Sequence, residues 1–122
     1  MLDHVTVGVM SLARSIGFYD RALQPLGMKR LASNGTKFAG YGANGGAFFW
    51  IGERDEVASS VHVAFAAQDR ATVDAFYSAA IAAGGHDNGA PGLRPHYHRN
   101  YYGAFVLDPD GHNIEAVCRS AE

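Results

Sequence analysis

Chemistry near neutral pH falls first to imidazole and carboxylate side chains, and this chain of 122 residues holds six histidines. Imidazole ligates metals and moves protons in that range. His4 opens the β-branched run Val5-Thr6-Val7-Gly8-Val9, and His62 opens Val63-Ala64-Phe65. Alternate residues of a strand share a face. His4, Thr6 and Gly8 therefore point one way, and His62, Ala64 and Ala66 likewise, while the intervening valines and Phe65 point to the opposite side. In the run Asn113-Ile114-Glu115-Ala116-Val117-Cys118, Ile114 and Ala116 read as core-facing, which turns Asn113, Glu115 and Val117 inward. An inward carboxylate is costly unless it is paired or holds a cation. Two imidazoles and one carboxylate on a common face suit a divalent transition ion with positions left open for substrate oxygens or water. The same residues equally serve as a hydrogen-bonded His–Glu core pair.

A second cluster lies in Arg94-Pro95-His96-Tyr97-His98-Arg99-Asn100-Tyr101-Tyr102. In an extended chain His96 and His98 face one side, as ligands or proton shuttles with Tyr102 beside them. Arg94 is placed to clamp an anionic substrate. The competing reading is a rim or dimer contact with aromatic and arginine anchors. Phe48, Trp50 and Tyr101 are the candidates for an aromatic pocket wall. His86 reads as exposed loop and His112 as structural or solvent-facing.

Strands are expected at His4–Val9, Met28–Ser33, Phe38–Tyr41, Ala47–Gly52, Val61–Phe65, Tyr101–Leu107 and Asn113–Cys118. Ser11 and Asp69 offer N-caps to helices carrying Leu12, Ile16, Tyr19 and Leu23, and Val73, Phe76, Tyr77 and Ala80. Asn34-Gly35, Asn44-Gly45-Gly46 and Asp108-Pro109-Asp110-Gly111 are turn signals. The stretch 86–100 has no periodicity and reads as a long loop, a kind that is often functional.

The register repeats. From His4 to Phe18 and from His62 to Phe76 is 14 positions, and from His4 to Gly27 and from His62 to Gly85 is 23 (62 − 4 = 58 in each case). This period indicates a duplication. The expected fold is α+β, a single domain over 1–122. It consists of two βαβββ modules, about 1–55 and 59–120, pairing into a curved, half-open antiparallel barrel with helices outside.

Lys+Arg 10 against Asp+Glu 12, a net charge of −2 and no basic run argue against a nucleic-acid or anionic-membrane partner. No run approaches a membrane span and no secretory leader is visible, so a cytoplasmic protein is expected. The single cysteine, Cys118, excludes an internal disulfide and reads as a small buried hydrophobe.

The opening His4-Val5 strand, Leu12-Ala13-Arg14-Ser15 leading to Phe18-Tyr19, the Leu26-Gly27 ending, His62, and Phe105-Val106-Leu107-Asp108-Pro109-Asp110-Gly111-His112-Asn113-Ile114-Glu115 span nearly the whole chain. Together they make it resemble the vicinal oxygen chelate superfamily of glyoxalases, bleomycin-resistance proteins and extradiol dioxygenases. The resemblance implies a divalent metal (Zn, Mn, Ni or Fe) on His4, His62 and Glu115, a small-molecule substrate with vicinal oxygens, and a homodimer. The implied chemistry is of the isomerase, lyase, thiol-transferase or dioxygenase type. Glyoxalase I enzymes of the group use a fourth carboxylate ligand, and its counterpart here is Trp50, which cannot ligate. Thr6, two residues after His4, matches the pattern of fosfomycin-resistance transferases. The alternative that the resemblance implies is a metal-free, bleomycin-resistance-like binding protein with Trp50 stacked on a flat ligand.

Overall fold

A computed structural model describes residues 1–58 and 61–122. Residues 59 and 60, where the second module was expected to begin, lie outside the described residues. The first half runs β1 (Val5–Val9), α1 (Leu12–Ala22), a 3-10 turn (Gln24–Leu26), β2 (Lys29–Ser33), β3 (Phe38–Ala43) and β4 (Gly46–Glu53). The second runs β5 (His62–Ala66), α2 (Arg70–Ala82), β6 (His86–Asp87), β7 (Gly92–Leu93), β8 (Tyr102–Leu107) and β9 (Asn113–Cys118).

Each half forms its own sheet, in the orders β1-β4-β3-β2 and β5-β9-β8-β6, with β7 also on β8. The architecture is α+β with two sheets and no closed barrel, as the repeat suggested. The sheets are mixed rather than antiparallel throughout: β1 pairs parallel with β4, and β5 parallel with β9. Their connections carry a helix between the paired strands, which is what parallel pairing requires. The stretch 86–100 is not wholly loop, since β6 and β7 each pair with β8. Two-residue strands are too short to leave any side-chain period in the sequence.

Local chemistry explains the element ends. The Ser11 hydroxyl accepts from the Arg14 amide, and the Asp69 carboxylate from the Thr72 amide, so both expected N-caps form. Those Thr72 hydrogen bonds hold the Asp69 carboxyl below its usual range. At the β3–β4 hairpin Asn44 and Gly45 take φ of 56° and 81°, the left-handed pair that a tight two-residue turn demands.

The helices bury Leu12, Phe18, Tyr19 and Ala22 from α1, and Val73, Phe76 and Ala80 from α2. Phe49 of β4 joins the halves, with Tyr19 at 5.1 Å and Phe65 of β5 at 5.2 Å between ring centroids. Polar groups join them too. The Tyr19 hydroxyl donates to Asp108 Oδ2 at 2.6 Å. Asp108 Oδ1 accepts from the amides of Asp110 and His112. His112, fully buried, donates from Nε2 to the Gly8 carbonyl at 2.8 Å. The structure thus gives His112 a structural role.

Tyr19 and Tyr41 are fully buried, and burial pushes both phenols well above their ordinary value, with hydrogen bonds to Asp108 and Asp20 adding to the rise. A raised folded value means stability that is intact below the unfolded tyrosine's pKa, about 10, and is lost as pH climbs past it. Above that point each phenol should cost about 1.4 kcal/mol per pH unit. Urea midpoints at pH 9 and 11 should fall less for Tyr41→Phe than for the wild type. An equal fall in both would contradict the assignment of Tyr41.

Candidate functional site

The parallel register places the last-strand carboxylate. Ala64 on β5 lies opposite Glu115 on β9, and on the neighbouring strand Phe105 also faces Glu115. Alternation then sends Ile114 and Ala116 into the helix-facing core, both fully buried. Glu115 goes to the other face, where it is nevertheless buried to 1% exposure, while the His62 side chain is 50% exposed.

A buried carboxylate must find donors. Glu115 finds two. His62 Nε2 lies 2.8 Å from Oε1, and the Tyr101 hydroxyl donates to Oε2. Burial, then the Glu115 carboxylate, pushes the Tyr101 phenol up to about 12, so at neutral pH it is a hydrogen-bond donor. A cavity of about 360 Å³ opens beside the pair, lined by His62, Tyr97, Tyr101, Phe105, Glu115 and Arg119.

His4 stands elsewhere. Its Nδ1 lies 2.7 Å from Asp3 Oδ1, and it lines a separate cavity of about 180 Å³ with Phe48, Val63 and Ala64 among others. Among the described residues, no three His, Cys, Asp or Glu side chains stand together as a metal site. The chemistry of the donor set can still be tested on the pair. Two cis ligands at metal distances of about 2.0–2.2 Å are themselves roughly 3 Å apart. The 2.8 Å separation of His62 Nε2 and Glu115 Oε1 fits two donors of one ion, while the third expected donor, His4, lies outside this cavity.

The loop residues take other roles. His96 packs against Tyr97 with ring centroids 4.2 Å apart and the planes tilted by 47°, and His98 Nδ1 accepts from the Asn100 amide. Neither lines the cavity. Tyr102 points to the opposite face of β8 from Gly103 and donates to Asp74 of α2. Arg94, expected to clamp an anion, instead donates to the Gly92 and Ala90 carbonyls at 2.8 Å each, over the Phe105 ring. A guanidinium next to unpaired loop carbonyls satisfies them before any ligand arrives.

Tyr97, Phe105 and Arg119 belong to the cavity lining and were not singled out from the sequence. Phe105 and Arg119 follow from alternation: Phe105 faces Glu115 directly, and Glu115, Val117 and Arg119 share a side if the strand's period is carried one step past Cys118.

On the first sheet Trp50 lies opposite Thr6, just as Glu115 lies opposite Ala64 (6 + 58 = 64). Trp50 is therefore the structural mate of Glu115. Its ring lies on Gly40, its cross-strand partner, where an added Cβ would sit 2.6 Å from the ring, and Phe38 packs beside it at 5.9 Å. Gly40→Ala should displace the ring, cost about 1–3 kcal/mol by overpacking and shift the emission of this sole tryptophan. An unshifted spectrum would contradict the stacking.

The sequence profile of the Glyoxalase/Bleomycin resistance protein/Dioxygenase superfamily matches residues 1–116. The chain belongs to that superfamily. It is 35% identical to a glyoxalase/bleomycin resistance protein from Albidiferax ferrireducens T118, with a TM-score of 0.83 over 98% of this chain and 99% of that one. A glyoxalase-related enzyme from Fulvimarina pelagi shares the fold at 23% identity and TM-score 0.75, over 97% and 87% of the two chains. So does the E126Q mutant of the fosfomycin resistance protein FosX from Listeria monocytogenes, at 22% identity and TM-score 0.71, over 96% and 88%. The FosX structure is a complex with Mn(II) and 1S,2S-dihydroxypropylphosphonic acid. No curated protein sequence matches. No helix among the described residues is long and apolar enough to cross a membrane.

Proposed function

We propose that this chain is a divalent-metal enzyme of the superfamily, acting on a small substrate through two adjacent oxygens. The reading rests on one observation: a fully buried carboxylate, Glu115, held 2.8 Å from the Nε2 of a half-exposed histidine at the mouth of a cavity. When bound, the metal supplies Lewis acidity toward the substrate oxygens and stabilises developing charge. His62 and Glu115 are two of its ligands, and Tyr101 fixes the second carboxylate oxygen.

His4 of a second copy is the third ligand, and the protein works as a homodimer. His4, just before β1, is exposed beside the exposed Phe48, with Phe38 exposed on the same face of the first sheet. Thr6 and Trp50 then line the cavity from the second copy. The metal is Zn, Mn, Ni or Fe.

Electron paramagnetic resonance titration with Mn²⁺ tests the sharing of ligands. His4→Ala and His62→Ala should each lose tight Mn²⁺ binding, and mixing the two variants should restore part of it. A mixture as inert as its components would defeat the shared site.

The metal-free binding reading has one observation in its favour, the half-buried Trp50 ring laid flat on Gly40. It requires that aromatic ligands quench Trp50 while metals leave the protein unchanged.

A further inference from the structure

We propose that Arg119 is the specificity residue of the cavity and that the substrate is a small carboxylic acid with a planar body. The proposal rests on the reading of His62 and Glu115 as the reacting end.

Of the six lining residues, three polar groups are already spoken for. Glu115 has one donor on each oxygen, and His62 and Tyr101 are those donors. Tyr97 and Phe105 present ring surface, with Tyr97 set edge-on to Tyr101 at 5.1 Å. Arg119 is the one cationic group of the lining. Its guanidinium carbon sits 5.0 Å from the Tyr101 ring centroid, and it enters no ion pair among the described residues. Arg94, the cation the sequence favoured, is by contrast committed to two carbonyls.

An arginine braced against an aromatic ring but unpaired keeps its planar fork available to a planar anion, which a carboxylate matches with two parallel hydrogen bonds. The stacking holds the guanidinium in place before the ligand arrives, which reduces the ordering cost of binding.

Tyr101 sets the ligand's size. Its ring braces the Arg119 guanidinium at 5.0 Å and its hydroxyl meets Glu115, so the anchoring cation and the reacting end are separated by about one phenol ring. A ligand that bridges them is small, with its acid group on Arg119 and its flat body against Tyr97 and Phe105.

The test is a ¹H–¹⁵N chemical-shift titration of metal-free protein, in the presence of a chelator, with benzoate and with its neutral analogue benzamide. Benzoate should bind at least tenfold more tightly than benzamide. Arg119→Gln should remove that preference, Arg119→Lys should keep part of it, and Arg99→Gln, an exposed arginine outside the lining, should leave it in place. Equal binding of the two probes, no saturable shift with either, or an Arg119→Gln protein that still prefers benzoate would overturn the proposal. Because no metal is present, a failed Mn²⁺ titration refutes the metal reading and leaves this result standing.

Discussion

Glu115→Gln will abolish tight metal binding while leaving the fold intact. The carboxamide keeps the size of the side chain. Its oxygen can accept from the Tyr101 hydroxyl, and its amide can donate toward His62, so the two partners recorded for the carboxylate remain served. What disappears is the negative charge. A buried carboxylate at 1% exposure carries a desolvation cost that its partners only partly offset. Removing the charge should therefore leave the urea midpoint of the metal-free protein unchanged or raised. Loss of an anionic ligand should weaken Mn²⁺ by about 100-fold or more, since even groups that only orient a ligand are worth 10–100-fold. Parallel measurement of urea midpoint and Mn²⁺ affinity separates the two effects. Undiminished affinity would refute Glu115 as a ligand. A large fall in midpoint would mean that the carboxylate is structural.

Asp108→Ala should act in the opposite way, on stability and at a distance from the cavity. Asp108 is 2% exposed and takes hydrogen bonds from the Tyr19 hydroxyl and from two backbone amides. Its truncation strands those buried donors, each at about 1–3 kcal/mol. We expect a total near 3–5 kcal/mol after relaxation, a large part of a small domain's stability. Tyr19→Phe removes one donor and keeps the ring, so about 1–2 kcal/mol is expected. Urea unfolding checks both, and a loss below about 1 kcal/mol for Asp108→Ala would show that the turn re-forms its hydrogen bonds elsewhere. The effect also reaches β1, because the turn from Asp108 to His112 holds the Gly8 carbonyl.

Alternation made much of this legible from the sequence. The face shared by Asn113, Glu115 and Val117 follows from Ile114 and Ala116 being apolar, and the pairing of Glu115 with His62 needs only that β5 and β9 be neighbours. The repeat of 58 makes β5 the counterpart of β1, and the resemblance makes Trp50 the counterpart of Glu115; the pairing of β4 with β1 and of β9 with β5 agrees with both, although Trp50 and Glu115 are 65 positions apart (115 − 50 = 65). What the repeat does not encode is how the two sheets face each other. His4 and His62 are equivalent by sequence, yet equivalence under a pseudo-rotation does not imply contact, and in the single chain His4 turns to Asp3.

The loop failed for a different reason. In Arg94–Tyr102 the side chains obey no strand or helix period, so nothing local distinguishes Tyr101, which meets Glu115, from Tyr102, which meets Asp74. Nor did composition reveal that Arg94 satisfies its own loop's carbonyls. The strands β6 and β7 are backbone features, paired through groups that every residue has.

The equivalence of Trp50 and Glu115 has a consequence for how such proteins diversify. A duplicated scaffold holds two copies of every backbone position, so one copy can keep a charge while its twin explores aromatic surface. Neither sheet has to shift its register for the exchange. Drift in one half is buffered by the other, and new specificity can accumulate in a molecule whose framework stays the same.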